Sequence, residues 1–262
     1  MLLSIITITY NNLSGLQRTI ASVQQQTFSD YEQIVIDGAS TDGTPDYLKT
    51  TKVRYLTEPD KGIYDAQNKG IALAKGDYCF FLNAGDTFCS PTVLERMFHA
   101  LPAPHPDILY GNELVTDANG KIIGRAKGVV NPTFLDIYSC CMKHQATLIN
   151  TQLFALYGNY DASMRMDADW DWFMRVIGFN NLNMRYVDVD IAFFEATGFS
   201  YTHPEVDEQE TRIVLNRYLP SAKLQEDYRF FAKYAQLRKV DKIPVLRLGI
   251  RILIKLSKWW GK

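Results

Sequence analysis

The sequence predicts an α/β fold: a mainly parallel central sheet that turns mixed in its second half, flanked by helices and followed by a helical C-terminal extension. Two observations predict it. Apolar β-type runs alternate with stretches of helical periodicity through the first half of the chain, the pattern of strands joined by right-handed helical crossovers. Three of these runs end in Asn, Asp or Gly: Ser4-Ile5-Ile6-Thr7-Ile8-Thr9-Tyr10-Asn11-Asn12, Ile34-Val35-Ile36-Asp37-Gly38 and Phe80-Phe81-Leu82-Asn83-Ala84-Gly85-Asp86. An open α/β sheet delivers polar groups in this way to the crevice at the carboxyl ends of its strands.

Each element has a local reason. Residues 2–9 form the first strand, and Ser14 is placed to cap a helix whose Leu16, Ile20 and Val23 recur at helical spacing. Strands over 32–36, 53–57 and 78–82 alternate with helices over 44–50 and 63–75, the latter ending near Gly76. Ser90-Pro91 opens another helix with a cap followed by proline, and 107–125 reads as two strands around the turn Asp117-Ala118-Asn119-Gly120. Helices near 150–157 and over 168–177 are closed by Gly158 and Gly178, and a strand follows around 184–194. Charged helical segments then run over roughly 205–219 and 222–238, ahead of a tail from Ile243.

With 262 residues, 47% hydrophobic, the chain is long enough for one large domain with a substantial core. A formal net charge of −1 gives no whole-chain basic field, so nucleic acid is not an expected partner. Four cysteines without a CxxC pair or His/Cys ligand spacing read as thiols in a reducing compartment. The start, Met1-Leu2-Leu3-Ser4-Ile5, has no basic n-region, so no signal peptide and a cytoplasmic location are expected. No run is long and apolar enough to span a bilayer.

The strand-end segments carry the chemistry. Asp37-Gly38-Ala39-Ser40-Thr41-Asp42-Gly43-Thr44 sets a carboxylate at a strand end, a tight turn and a second carboxylate before a helix. Asp37 can accept from a base N–H, and Thr9 or Asn11 can contact base or ribose. Asn83-Ala84-Gly85-Asp86 falls where a diphosphate lies if the base occupies the first two loops; Asp86 is then the ligand for Mg²⁺ or Mn²⁺, with open positions for phosphate oxygens. Asp60 and Asp65, in Glu58-Pro59-Asp60-Lys61-Gly62-Ile63-Tyr64-Asp65, are candidates for ribose or the transferred sugar, although a helix N-terminus favours acids on its own account.

In this order and spacing the segments resemble the nucleotide-binding half of the family 2 inverting glycosyltransferases of GT-A fold. The likeness is sharpest in the first 86 residues and extends to about residue 200. It implies that Thr9, Tyr10, Asn11, Asp37 and Ser40 grip the nucleoside, with Asp60, Asp65 and Asn83 beside them, and that the metal-binding DxD motif falls on Asn83-Ala84-Gly85-Asp86. Asn83 and Gly85 replace its first acids, leaving Asp86 alone and implying weak metal binding. This variant, after Glu58–Asp65, resembles a subset associated with bacterial surface-polysaccharide assembly.

Direct displacement at an anomeric carbon needs a base on the acceptor hydroxyl, opposite the departing diphosphate. Arg165-Met166-Asp167-Ala168-Asp169-Trp170-Asp171-Trp172 offers Asp169, since the family carries an acid at the start of this helix and an aromatic and an Arg after it. Asp167, Asp169 and Asp171 cannot all share one face, because residues two apart point about 200° apart. Trp170 or Trp172 is a candidate to stack on sugar rings, against a core role. The pair His144-Gln145 is a candidate contact to diphosphate or acceptor, and His203 a further metal ligand.

In the tail, cations at 247, 251, 255, 258 and 262 occupy an arc of roughly 80° on a helix, with apolar residues and Trp259-Trp260 around it. Such a helix lies in a membrane interface, or else packs on the domain or a second subunit. The expectation is a GT-A enzyme domain over 1–203, with a nucleotide-binding half to about 100 and an acceptor half after it, and an extension over 204–262. It transfers a hexosyl or N-acetylhexosaminyl group from a nucleotide-sugar donor, a UDP-sugar first, to a glycolipid or glycan acceptor, with peripheral contact to the inner face of the cell membrane. Two rivals are a non-catalytic nucleotide-binding scaffold and a sugar nucleotidyltransferase. The second uses a Gly-rich phosphate loop where this chain has Tyr10-Asn11-Asn12-Leu13-Ser14.

Overall fold

The computed structural model describes residues 2–234 apart from Ala100, Pro102, Ala103, Cys141, Thr197, Phe199, Ser200 and Tyr201. The expected amphipathic tail over 243–262 lies outside the described residues. The chain divides into two compact units, Met1–Val214 and Leu215–Lys262.

The first unit opens with β1 (Leu3–Thr9), α1 (Leu13–Gln24), β2 (Tyr31–Asp37), α2 (Thr44–Thr50), β3 (Arg54–Thr57), α3 (Ile63–Leu73) and β4 (Tyr78–Phe81). β1 and β4 are buried at every position, Ser4, Thr7 and Thr9 of β1 included, as in a parallel sheet covered on both faces. The short β5 (Thr87–Phe88) and α4 (Val93–His99) follow, then the hairpin β6 (Ile108–Thr116) and β7 (Ile122–Ala126), whose turn closes with Gly120 N–H donating to Asp117 O at 2.9 Å. After α5 (Phe134–Tyr138) come a 3₁₀ turn (His144–Ala146), β8 (Thr147–Asn150), α6 (Gln152–Tyr157), α7 (Ala168–Val176) and β9 (Met184–Glu195). α8 (Pro204–Tyr218) crosses the boundary between the units, and α9 (Ala222–Lys233) belongs to the second.

Among the described residues the strands form one nine-stranded sheet in the order β3-β2-β1-β4-β8-β6-β9-β5, with β7 on β6. The β1–β2, β2–β3, β1–β4 and β6–β9 pairs are parallel; β4–β8, β6–β8, β6–β7 and β5–β9 are antiparallel. The expected mixed sheet is therefore present, with the switch at β4–β8. One core cluster joins Ile5, Phe80, Leu109, Leu148 and Ile191 of the sheet to Val93, Leu94 and Met97 of α4. A second joins Leu16 and Ile20 of α1 to Val35 and Leu48. Full burial of each such side chain contributes about 1.5–3 kcal/mol.

One expectation changes. The cap of α1 is Asn12, whose Oδ1 accepts from Gly15 N at 3.0 Å, and Ser14 lies inside the helix. Glu210 of α8 accepts from the backbone N–H groups of Arg165, Met166 and Asp167 at 2.6, 2.8 and 2.9 Å, which holds the loop that enters α7.

Candidate active site

A cleft of about 730 Å³ opens at the carboxyl ends of β1 and β4. It is walled by the β1–α1 turn, the residues leading into α3, the Asn83–Asp86 turn, His144 and Gln145, Arg165 and Met166, and Phe194 and Glu195 at the end of β9.

The first two loops are stitched together. Asn11, at φ 49°, donates its N–H to Ser40 Oγ at 2.8 Å and accepts from Thr41 N at 2.8 Å; Leu13 N donates to Asp42 Oδ2 at 2.8 Å. Thr44, whose N–H donates to Asp42 Oδ1 at 3.2 Å, leads the causes that hold the Asp42 carboxyl below its ordinary range. Thr9 and Asp37 face each other in the parallel register. Asp37 is fully buried with Oδ1 accepting from Ser40 N at 3.1 Å, while Asp37 Oδ2 and Thr9 Oγ1 are buried without a hydrogen-bond partner. Thr9 and Tyr10 line the cleft, and the Tyr10 ring is 67% exposed. Asn11, Asp37 and Ser40, expected at the nucleoside, are not among the lining residues: Asn11 is exposed, and Asp37 and Ser40 are buried.

Asp60 lines the cleft and accepts from Gly62 N at 2.9 Å. Asp65 instead turns to the start of its own helix: Oδ2 accepts from Lys61 N at 3.0 Å and pairs with Lys69 at 3.6 Å. The Asn83–Asp86 turn is held by Thr19, which accepts from Gly85 N at 3.0 Å and donates to Asp86 O at 2.7 Å. Asp86 lines the cleft, is 5% exposed, and accepts from Glu195 N at 3.4 Å. Burial, with Glu113 and Glu195 nearby, pushes its carboxyl up to about 7 against the pull of His144.

Beside this turn stands a pair that joins distant parts of the chain. Asp169, in the first turn of α7, lies with Oδ2 2.8 Å from His144 Nδ1 and accepts from the Tyr64 hydroxyl on Oδ1 at 2.9 Å. The Tyr64 hydroxyl also contacts Met166 O. Burial works to raise the Asp169 carboxyl, but the His144 hydrogen bond and charge, Tyr64 and Lys143 outweigh it and the net shift is downward. For His144 burial works to lower the imidazole, yet Asp169, Asp86 and Glu113 raise it above its ordinary value. His144 Nε2 is 3.4 Å from Asn83 Nδ2, and Asn83 Oδ1 accepts from Gln67 at 3.4 Å.

The structure does not bring every expected residue to the cleft. Trp170 and Trp172 are buried and donate their indole N–H groups to Ile137 O and Gly158 O, each at 2.9 Å. His203 is outside the lining set, with Nδ1 2.8 Å from Thr202 Oγ1. Asp167 meets Thr211 of α8 at 3.2 Å and Asp171 is buried. Among the described residues no three His, Cys, Asp or Glu side chains converge on a metal position. The donor chemistry at Asp86, a single hard carboxylate on an open cleft, fits an Mg²⁺ or Mn²⁺ ion that takes its other ligands from phosphate oxygens and water. Tyr64, Gln67, Thr19, Glu195 and Glu210 shape the site and escaped the sequence reading, because each acts on a partner far along the chain.

Residues 4–173 match the profile of Glycosyl transferase family 2. Over 99% of its length the chain is 30% identical to a PGL/p-HBAD biosynthesis glycosyltransferase of Mycobacterium bovis, covering 91% of that protein. Its fold is similar to that of Staphylococcus aureus TarS 1–349 in complex with UDP-GlcNAc, with TM-score 0.65, 15% identity, and 93% of this chain and 74% of that one covered. The chain spans 39% of the longer TarS chain. It is also similar to the mannosyltransferase PcManGT of Pyrobaculum calidifontis in complex with GDP-Man and Mn²⁺, with TM-score 0.56, 14% identity, and 98% and 82% covered. With the mixed sheet described above, these likenesses give the GT-A fold. The chain belongs to glycosyl transferase family 2 and is a glycosyltransferase.

Proposed function

We propose that the protein transfers a hexosyl or N-acetylhexosaminyl unit from a UDP-sugar to a hydroxyl of a lipid-linked saccharide or growing bacterial glycan, inverting the anomeric centre. The observation that carries this reading is that Thr9, Tyr10, Asp86 and His144 line one cleft, with Asp169 held on His144. Tyr10 offers an exposed ring for a base, and the orphaned oxygens of Thr9 and Asp37 behind it offer hydrogen-bond capacity for a base or ribose. Asp86 would hold the divalent ion, which supplies charge neutralisation for the departing diphosphate. Asp60 and Arg165 also line the cleft and would serve the sugar and its phosphates. The His144–Asp169 pair supplies the base, so a single displacement needs no glycosyl-enzyme intermediate.

The test is thermal stabilisation by UDP-, GDP- and dTDP-sugars, with and without Mn²⁺, in the wild type and Asp86→Ala. A donor at a hundred times its Kd adds about 2.7 kcal/mol. The expected result is stabilisation by one nucleotide class that depends on Mn²⁺ and shrinks in Asp86→Ala; no shift with any nucleotide removes the donor site.

A further inference from the structure

Gln145 brings a nearly buried amide to the cleft wall and leaves it unused. It lines the cleft beside His144 and is 6% exposed, yet among the described residues neither its amide N–H₂ nor its amide oxygen makes a hydrogen bond. Its neighbours on the wall are engaged: His144 with Asp169 at 2.8 Å, Asn83 with Gln67 at 3.4 Å, and Asp86 with Glu195 N at 3.4 Å. The unpartnered atoms sealed in the interior include Asp37 Oδ2 and Gln67 Oε1 but neither amide atom of Gln145, which therefore keep access to the cleft. The backbone under Gln145 is fixed. In the turn His144–Ala146, Lys143 O accepts from both Ala146 N at 2.9 Å and Thr147 Oγ1 at 2.8 Å. An unpaired amide is unfavourable at a buried position, so a group that enters the cleft accounts for it better than the fold does.

We propose that Gln145 reads the transferred sugar: its amide oxygen accepts from one hydroxyl, and its N–H₂ donates to the oxygen of the adjacent hydroxyl. This rests on the glycosyl-transfer reading above. Two arguments favour the sugar over the diphosphate. The amide carries no charge, so it does nothing to neutralise phosphate oxygens, whereas a planar donor and acceptor side by side match two neighbouring hydroxyls of a hexopyranose ring. In a single displacement the anomeric carbon also stands between the leaving diphosphate and the base. His144 spans that interval, with Nε2 3.4 Å from Asn83 Nδ2 in the Asn83–Asp86 turn and Nδ1 2.8 Å from Asp169 Oδ2. Gln145 is the next residue on the same wall, so the ring carried by the reacting carbon passes its amide.

The experiment is calorimetric titration of the full chain, with Mn²⁺ present, by UDP, UDP-glucose and UDP-N-acetylglucosamine and by GDP and GDP-mannose. The proteins are the wild type, Gln145→Leu and Gln145→Met, two changes that keep the side-chain volume and remove both hydrogen-bonding groups. In the nucleotide series that binds, free nucleotide is expected to bind all three proteins within about twofold, while the nucleotide-sugar weakens about tenfold or more in both variants. Both variants are expected to melt at or above the wild-type temperature, because no protein group loses a partner. An unchanged ratio of nucleotide-sugar to nucleotide affinity overturns the proposal and gives the amide to the acceptor. A lower melting temperature with equal losses for nucleotide and nucleotide-sugar also overturns it and gives the amide to the fold. A wild type that binds no nucleotide overturns the glycosyl-transfer reading itself, whereas the proposal alone fails when nucleotide still binds.

Discussion

At the scale of single residues, the acids at 167, 169 and 171 show how environment separates identical side chains. Asp169 is drawn down by His144, whereas burial, then the charges of Asp207 and Asp169, push Asp167 up to about 7. A group whose folded pKa lies above its unfolded value of about 4 contributes stability below pH 4 and loses it as pH rises through 7. Ionised Asp167 therefore opposes folding in neutral and alkaline solution. Its side chain makes no capping bond to α7, and the hydroxyl of Thr211 is satisfied equally by an amide oxygen. Asp167→Asn is expected to leave stability at pH 4 unchanged and to raise it by about 1–2 kcal/mol at pH 8, a discounted fraction of the full shift. Urea denaturation at the two pH values checks this, and an equal effect at both would refute it. Tyr64 acts on the same segment: its one hydroxyl proton is shared between Asp169 Oδ1 and Met166 O, so Tyr64→Phe leaves both partly buried acceptors short of a donor.

At the scale of elements, the site is only as well placed as the segments under it. The loop that enters α7 has three successive backbone N–H groups satisfied by the Glu210 carboxylate, which is 7% exposed. Glu210→Ala leaves those donors unpaired and is expected to cost about 2–4 kcal/mol, with faster hydrogen exchange at the amides of 165–167. Unchanged exchange there would show that water replaces the carboxylate without loss. Between α3 and β4, Gly76 lies against the first strand so closely that a Cβ would stand 2.5 Å from Ser4 N and 2.6 Å from Leu3 C. Backbone atoms have no alternative rotamer, so Gly76→Ala is expected to lose roughly 2–3 kcal/mol in thermal or chemical melts. A melt within 0.5 kcal/mol of wild type would mean that β1 and β4 separate more easily than their burial implies.

These elements also show what the sequence makes legible. β1, β2 and β4 are mostly buried, so each carries an apolar stretch with a polar group at or just after its end, and the cleft follows from where those ends meet. β5, α5 and the turn at His144–Ala146 are two, five and three residues long, too short for any periodicity to register. His144 and Asp169 stand out separately as residue types, but the 2.8 Å contact between them spans 25 positions, and the Tyr64–Asp169 bond spans 105. Such pairings come from tertiary packing and leave no local pattern. The tryptophans of α7 mislead for a related reason: beside so many acids they suggest a sugar platform, yet the helix turns Trp172 into the aromatic cluster of Phe154, Tyr160 and Phe173 and Trp170 toward Ile137 O.

At the scale of the whole molecule, the remaining question is how the enzyme meets its acceptor. Among the described residues no helix is long and apolar enough to cross a membrane. Within the second unit, α9 buries none of its residues, and Leu224, Phe230, Phe231 and Tyr234 are 45%, 58%, 53% and 42% exposed. The rings of Phe230 and Tyr234 pack at 4.7 Å and those of Phe230 and Phe231 at 6.1 Å, so the exposed face is a contiguous aromatic patch. The sequence that follows places Arg247, Arg251, Lys255 and Lys258 at near-helical intervals among apolar residues. Aromatic rings at the headgroup level together with a line of cations match an anionic lipid surface, each cation contributing about 1 kcal/mol within a Debye length. Peripheral binding is the expected outcome: co-sedimentation with vesicles containing phosphatidylglycerol, little with phosphatidylcholine alone, and release in 0.5 M salt, where the Debye length falls to about 4 Å. Changing the four cations to glutamine should abolish the preference for anionic lipid, and Phe230→Ser with Phe231→Ser should weaken binding even at low salt. Equal sedimentation with both vesicle types, or none with either, would place the acceptor in solution and the aromatic patch against protein instead.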